Sequence, residues 1–425
     1  MTPFMILLVL IVCLLLNVPI AFTIALSGLV VIFLEGVAPL TSFIQSSFNA
    51  SNSFPLLAVP LFVLAGELMS VGGIAKRIVD FAKTIVGSFT GGIGLVAIVA
   101  SLIFAAISGS AVATAAAIGA IMIPIMKDSG YRAPYAATLV ASAGSLGPII
   151  PPSIIFILYG VMANVSIAGL FLGGIIPGLL MALAFVIVNY SISKKEGYFG
   201  SGRSTFKEML RELNNAKFAL IAPVIILGGI YAGIFTPTES GVIAVIYSLI
   251  ISLFVYKELK IKDIPRIFMQ SSITTGSVLI IVGTAIFFGR MLALERVPQM
   301  LSDFIQGIST NPIIILLIIN IFLLIVGMFM ETIAALLIFV PLLLPIINSV
   351  GIDPLHFGIV VGLSLAMGFF TPPIGINVFV ASRIANISFG QTYRYLFVFI
   401  FACLIVLALV TYIPQLSLFL PSLLN

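Results

Sequence analysis

Residues 144–153 read Gly-Ser-Leu-Gly-Pro-Ile-Ile-Pro-Pro-Ser, inside an apolar run that covers about 134–160. Regular helix cannot pass through this stretch, because each proline removes a backbone donor and presses its ring on the preceding turn. A second run, Gly368-Phe369-Phe370-Thr371-Pro372-Pro373-Ile374-Gly375 with Asn377 just beyond, breaks the apolar stretch 355–381. Pro151-Pro152 and Pro372-Pro373 are 221 residues apart. The same offset relates Gly147 to Gly368, Pro124-Ile125 to Pro345-Ile346, and Gly130 to Gly351. Ala163-Asn164-Val165-Ser166 returns as Ala385-Asn386-Ile387-Ser388 after one insertion. This ordered set marks an internal duplication, with a period far too long for a solenoid.

Composition says what surrounds the repeats. Of 425 residues, 61% are hydrophobic, and only 19 basic and 14 acidic side chains occur. A soluble chain of this length would carry about 106 charges. Hydrocarbon must therefore replace water over most of the exterior, which excludes a soluble enzyme, a secreted domain and a nucleic-acid binder. The fold class expected is an all-α polytopic membrane protein. The net charge of +5 reflects cations in loops, and Cys13 and Cys403 lie in apolar runs with no disulfide or metal spacing.

A crossing needs about 20 apolar residues. Residues 3–33 are too long for one, and Asn17-Val18-Pro19 divides them into two; a third span covers about 54–69. Further apolar stretches are 90–126 (interrupted at Ser108-Gly109-Ser110), 134–160, 168–192, 218–235, 238–256, 269–289, 311–349 (interrupted near Glu331), 355–381 and 394–418. The limbs of 90–126 and 311–349 are short, so each reads as a re-entrant hairpin, beside about ten full spans. Lys194, Lys195, Arg203, Lys207, Arg211 and Lys217 collect in one loop, and Lys257, Lys260, Lys262 and Arg266 in the next but one. The positive-inside rule makes that side cytoplasmic and both termini periplasmic. No basic segment precedes the first apolar run, so a cleaved signal peptide is not expected. On this count the hairpins enter from opposite sides. Residues 1–193 and 218–425 are then inverted repeats, joined by an amphipathic connector, 194–217, lying on the inner surface.

Inverted repeats with broken helices at mid-depth characterise many secondary transporters. Non-helical backbone survives there only when buried in protein or lining a wet cavity. Freed carbonyls are hard oxygen ligands suited to Na⁺, and helix N-termini attract anions. The residues alone thus indicate a carrier of ions or anions.

The run from Ser108-Gly109-Ser110 through Pro124, Gly130-Tyr131 and Gly147–Ser153 closely resembles the large membrane subunit of the tripartite ATP-independent periplasmic (TRAP) transporters. Pro55–Phe62, Gly72–Ala75, Gly91-Gly92, Gly233–Glu239, Gly327–Glu331 and Thr371–Pro373 also match, over nearly the whole chain. The resemblance implies a Na⁺-coupled importer of organic anions in a bacterial inner membrane, working as an elevator. C4-dicarboxylates, sialic acids and other carboxylates would be its cargo. Its partners would be a small four-helix membrane subunit and a soluble periplasmic substrate-binding protein. No cofactor beyond Na⁺, and no transition metal, is expected.

Two Na⁺ sites are expected on this basis. One would use Ser108, Gly109, Ser110, Gly144, Ser145, Gly147, Pro148 and Pro151; the other Gly327, Glu331, Thr332, Gly368, Thr371, Pro372 and Asn377. Substrate carboxylate would sit between the tips, near Ser108, Ser110, Ser153, Thr332 and Asn377. Glu331 reads equally as a functional carboxylate or as the cap of the second limb. Glu239 reads as a cap, Glu67 as a structural partner of Lys76 or Arg77, Arg290 and Arg296 as outer-loop charges, and His356 as an interfacial residue. With one histidine there is no His-Glu-x-x-His metalloprotease site, and no phosphate loop for an ATP-driven pump. An ion channel and a standalone divalent-anion symporter without a binding protein are the competing readings.

Overall fold

The computed structural model describes residues 2–16, 18–36, 38–200, 202 and 204–423, so Asn17 and Arg203 lie outside the described residues. Every regular element among them is a helix. The chain begins with α1 (Thr2–Leu15), α2 (Ile20–Glu35) and α3 (Thr41–Ser51). A 3₁₀ turn leads into α4 (Ala58–Val71), followed by α5 (Ile74–Val86). The first hairpin is α6 (Gly92–Ser108) and α7 (Ala111–Asp128); the first broken crossing is α8 (Ala133–Gly144) and α9 (Ile154–Ala163). Then come α10 (Ile167–Glu196), α11 (Phe206–Tyr231), α12 (Pro237–Ile250), α13 (Ile264–Leu294) and α14 (Val297–Ile308). The second hairpin is α15 (Pro312–Phe329) and α16 (Thr332–Ser349), the second broken crossing α17 (Pro354–Gly368) and α18 (Ile376–Ala385), and α19 (Tyr393–Tyr412) follows.

Nine helical segments among the described residues are long and apolar enough to cross a bilayer. Length alone would let α7, α15 and α16 cross, each having 18 residues. Their neighbours decide otherwise. The tip joining α6 to α7 abuts the break in the middle of the α8–α9 crossing, where a Cβ on Gly109 would lie 2.5 Å from the Pro152 carbonyl oxygen. A tip pressed against the middle of a crossing sits at mid-depth, so the hairpin turns back inside the membrane. In the second half Thr332 Oγ1 donates to the Leu365 carbonyl (3.4 Å), placing that tip against the end of α17 in the same way.

The helix bounds repeat the sequence offset: α6 to α9 correspond in order to α15 to α18, and Tyr135 stands where His356 stands. Each of those two side chains anchors the start of its broken crossing. Tyr135 donates to Asn189 Oδ1 on α10 (2.8 Å), whose amide donates to the Gly91 carbonyl below the first hairpin (3.0 Å). His356 bonds Ser417 through Nδ1 (2.6 Å) and faces the Thr411 carbonyl of α19 through Nε2 (3.3 Å). His356 is therefore buried within the protein. The reason is that the segment after α19 folds back over it.

One other expectation changes. The segment 194–217 is not a separate surface helix: Lys194–Glu196 end α10, and 206–217 are the first turns of α11. The Thr205–Glu208 capping box starts α11 early enough to absorb the charged residues. The amphipathic helices are instead α5, which buries Ile74, Ile78, Val79 and Ala82, and α14, which buries Val297, Pro298 and Ser302. Glu239 does cap α12, closing a box with Thr236. One apolar core runs through both hairpins and both broken crossings; another joins α1, α2 and α13 to Ile338 and Leu342 of α16.

Candidate functional site

Short side chains let the first tip meet the first break. Gly109 closes α6 with φ +59°, a conformation that costs a residue with Cβ about 1–2 kcal/mol. Ser110 then caps α7, accepting from Ala113 N (3.4 Å), while Thr114 Oγ1 donates back to the Ser110 carbonyl (2.8 Å). Ser108 Oγ shares a hydrogen with Thr114 Oγ1 (2.8 Å). Across the gap, a Cβ on Gly147 would stand 2.5 Å from the Ser110 carbonyl carbon and 2.9 Å from Ala111 N. The hydroxyl of Ser153 caps α9 and donates to the Pro148 carbonyl (2.5 Å), and Ser145 Oγ turns back to the Ser142 carbonyl (2.5 Å). The Pro151-Pro152 peptide is cis, as is Pro372-Pro373.

The second half repeats this with different chemistry. Gly327 and Gly368 pack backbone to backbone, with a Cβ on Gly327 only 3.5 Å from Gly368 Cα. Glu331 caps α16 by accepting from Ala334 N (3.0 Å). Thr371 Oγ1 donates to the Met367 carbonyl (2.6 Å) and Asn377 N to the Phe369 carbonyl (2.9 Å). The Asn377 side chain leaves this half altogether. Its amide donates to the Ala141 carbonyl of α8 (3.0 Å) beside Gly144, so it belongs with the first break rather than with Gly327 and Thr332. The reason is that α18 packs against α7 and α8. Asn377 Oδ1, and Ser142 Oγ of α8, are buried with no hydrogen-bond partner.

Both tips open on one cavity of about 240 Å³. Ser108, Gly109, Ser110 and Pro148 line one wall, Glu331 and Phe369 another. Ser153, Thr332 and Asn377 do not line it and are buried behind it. Two polar residues from outside the hairpins complete the lining: Glu67 of α4 and Thr274 of α13. Glu67 thus points at the tips instead of pairing with Lys76 or Arg77. Gly66 permits this approach, because a Cβ there would lie 3.3 Å from Ser108 Cα. Arg77 is engaged elsewhere: it pairs with Glu258 (2.7 Å) and lies 3.7 Å over the Tyr256 ring. An acidic residue inside an apolar span was the sequence signal for Glu67; for Thr274 it was the polar run Gln270–Ser272 and Thr274-Thr275 within α13.

Comparison with known proteins settles the family. Residues 7–416 match the family model described as tripartite ATP-independent periplasmic transporter, DctM component. The chain belongs to this family. It is a multi-pass membrane protein of a transport system and not an enzyme. The sialic acid TRAP transporter large permease protein SiaM of Vibrio cholerae is 40% identical over 96% of this chain and 95% of its own length. The C4-dicarboxylate TRAP transporter large permease protein DctM of Pseudomonas aeruginosa is 38% identical, over 94% of each. An isethionate TRAP transporter permease protein, DctMQ of Oleidesulfovibrio alaskensis, is 43% identical over 95% of this chain, which spans only 64% of that longer protein. The YdaH transporter of Alcanivorax borkumensis shares the fold, with a TM-score of 0.59 over 87% of each chain at 12% identity.

Proposed function

We propose that this DctM-family protein is the large permease of a Na⁺-coupled importer of organic anions in the inner membrane. It would act with a small membrane subunit and a periplasmic substrate-binding protein. The observation that carries the reading is the convergence of both tips on one cavity, with a helix break beside each. Carbonyls released at 144–153 and 368–375, the hydroxyls of Ser108 and Ser110, and the free oxygens of Asn377 and Ser142 supply hard ligands for Na⁺. The tips, capped by Ser110 and Glu331, offer the N-termini of α7 and α16 to the substrate carboxylate. Relatives named for sialic acid, C4-dicarboxylates and isethionate support an organic acid as cargo. In the proposed cycle the hairpins and broken crossings move together as an elevator against the remaining helices.

Uptake into proteoliposomes holding the permease, its small subunit and the cognate binding protein tests this. An inward Na⁺ gradient should drive accumulation of a carboxylate or sulfonate. Uptake that persists without Na⁺ or without the binding protein would overturn the proposal, and persistence without the binding protein alone would favour a standalone symporter.

A further inference from the structure

The first turns of α11 separate their charges by face. Met209, Glu212, Ala216 and Ala219 turn inward, and Glu212 shares a cleft with Lys76 and Asp80 of α5, whose rim Asn214 and Lys217 also form. Glu208 is spent on the helix cap, accepting from Thr205 N (2.7 Å). The outward face carries Lys207, Arg211, Asn214 and Lys217, all exposed, at the i, i+4, i+7, i+10 spacing of one helical stripe. Its internal contacts are few: Arg211 Nε meets Glu212 (3.0 Å), and Lys217 Nζ donates to Asn214 Oδ1 (2.9 Å) and lies 5.1 Å from the Phe218 ring centroid. Exposed apolar side chains lie among these cations, with Leu210 55% and Phe206 74% accessible.

From Phe218 the same helix continues as an apolar span. At about 1.5 Å per residue, Arg211 lies about 9 Å and Lys207 about 15 Å beyond Lys217 along the axis. That range covers the headgroup layer, where long cationic side chains reach phosphate while their stems and neighbouring apolar residues stay in the acyl boundary. We propose that this face of α11 seats the headgroup of an anionic membrane lipid. Cationic clusters placed directly beside a membrane span recognise such lipids by charge, and the exposed Leu210 and Phe206 would contact the lipid chains. A soluble anion would leave those two residues in water.

The full chain in detergent, examined by native mass spectrometry with phosphatidylglycerol or phosphatidylcholine, tests the site. Phosphatidylglycerol should remain bound in preference to phosphatidylcholine, and less so as salt rises. Each cation near the surface contributes about 1 kcal/mol, so Lys207→Gln with Arg211→Gln and Lys217→Gln should weaken retention on the order of 100-fold. The melting temperature in lipid-free detergent shows that the variant is folded. Should it not be, Lys207→Gln alone should lose about fivefold. Unchanged retention in either folded variant, equal retention of the two lipids, or displacement by millimolar inorganic phosphate would overturn the assignment.

Discussion

Gly147→Ala should damage the carrier where its two parts touch. The added Cβ would fall 2.5 Å from the Ser110 carbonyl carbon and 2.9 Å from Ala111 N. Both are backbone atoms, so no rotamer relieves the overlap, and restoring contact near 3.5 Å requires roughly 1 Å of separation between tip and break. Overpacking of this kind costs about 1–3 kcal/mol, and a rigid neighbour puts it at the upper end. Gly228→Ala is the matched control: nothing lies within 4 Å of its would-be Cβ, and alanine favours the interior of α11 by about 1 kcal/mol. A thiol-reactive dye follows unfolding, because Cys403 is fully buried, whereas the absence of tryptophan rules out indole fluorescence. Gly147→Ala should melt below wild type, lose Na⁺-dependent stabilisation and transport slowly; Gly228→Ala should do none of these. Equal melting temperature and uptake in the two variants would refute the claim that tip and break form one unit.

Pro151→Ala with Pro152→Ala should let α8 and α9 join and weaken Na⁺ activation of uptake; unchanged activation would make the break a mere kink. Tyr135→Phe leaves the buried Asn189 Oδ1 with only the long bond from Ser193 Oγ (3.5 Å) and should cost about 1 kcal/mol in the dye-monitored melt, and His356→Ala should cost at least as much in the other half. Partial burial, aided by Glu212 and opposed by Lys76, Lys83 and Arg77, holds the Asp80 carboxyl above the usual carboxylate range. An acid whose folded pKa is raised destabilises the fold above that pKa, and the penalty fades as pH falls toward the ordinary carboxylate value. Asp80→Asn should therefore melt higher than wild type at pH 7, with the gap closing on acidification.

The architecture was readable because its signals are local. Proline pairs break helices wherever they occur, and a period of 221 residues survives any packing. The bounds of the hairpins and broken crossings accordingly fall within a few residues of expectation. Partnerships were less readable, since they depend on which helices become neighbours. Asn377 stands in the second repeat by position but in the first by contact, because α18 crosses to α8. Glu67 has cations nine and ten residues downstream, yet α5 carries Arg77 away to Glu258. His356 is buried only because the chain beyond α19 folds over it, a contact that no local signal announces. The amphipathic periodicity of α5 and α14 lies in 74–86 and 297–308, but these runs are too short and too polar to stand out as apolar spans.

The charge of the central cavity gives the proposed coupling a physical reason. Glu67 and Glu331 line it, and among the described residues no lysine, arginine or histidine does. A round cavity of about 240 Å³ is roughly 8 Å across. At that separation and an effective dielectric of 20, each carboxylate repels an incoming anion by about 2 kcal/mol. Two together would weaken its binding about 1000-fold unless cations enter with it. Under the proposed mechanism Na⁺ therefore acts partly by neutralising these glutamates. Glu67→Gln should then raise Na⁺-free affinity for the carboxylate that the binding protein delivers by about 30-fold, and flatten the dependence of affinity on Na⁺. Because Glu67 caps no helix and forms no ion pair among the described residues, stability should change little. Na⁺-free affinity that stays at the wild-type value would mean that repulsion from Glu67 plays no part in coupling.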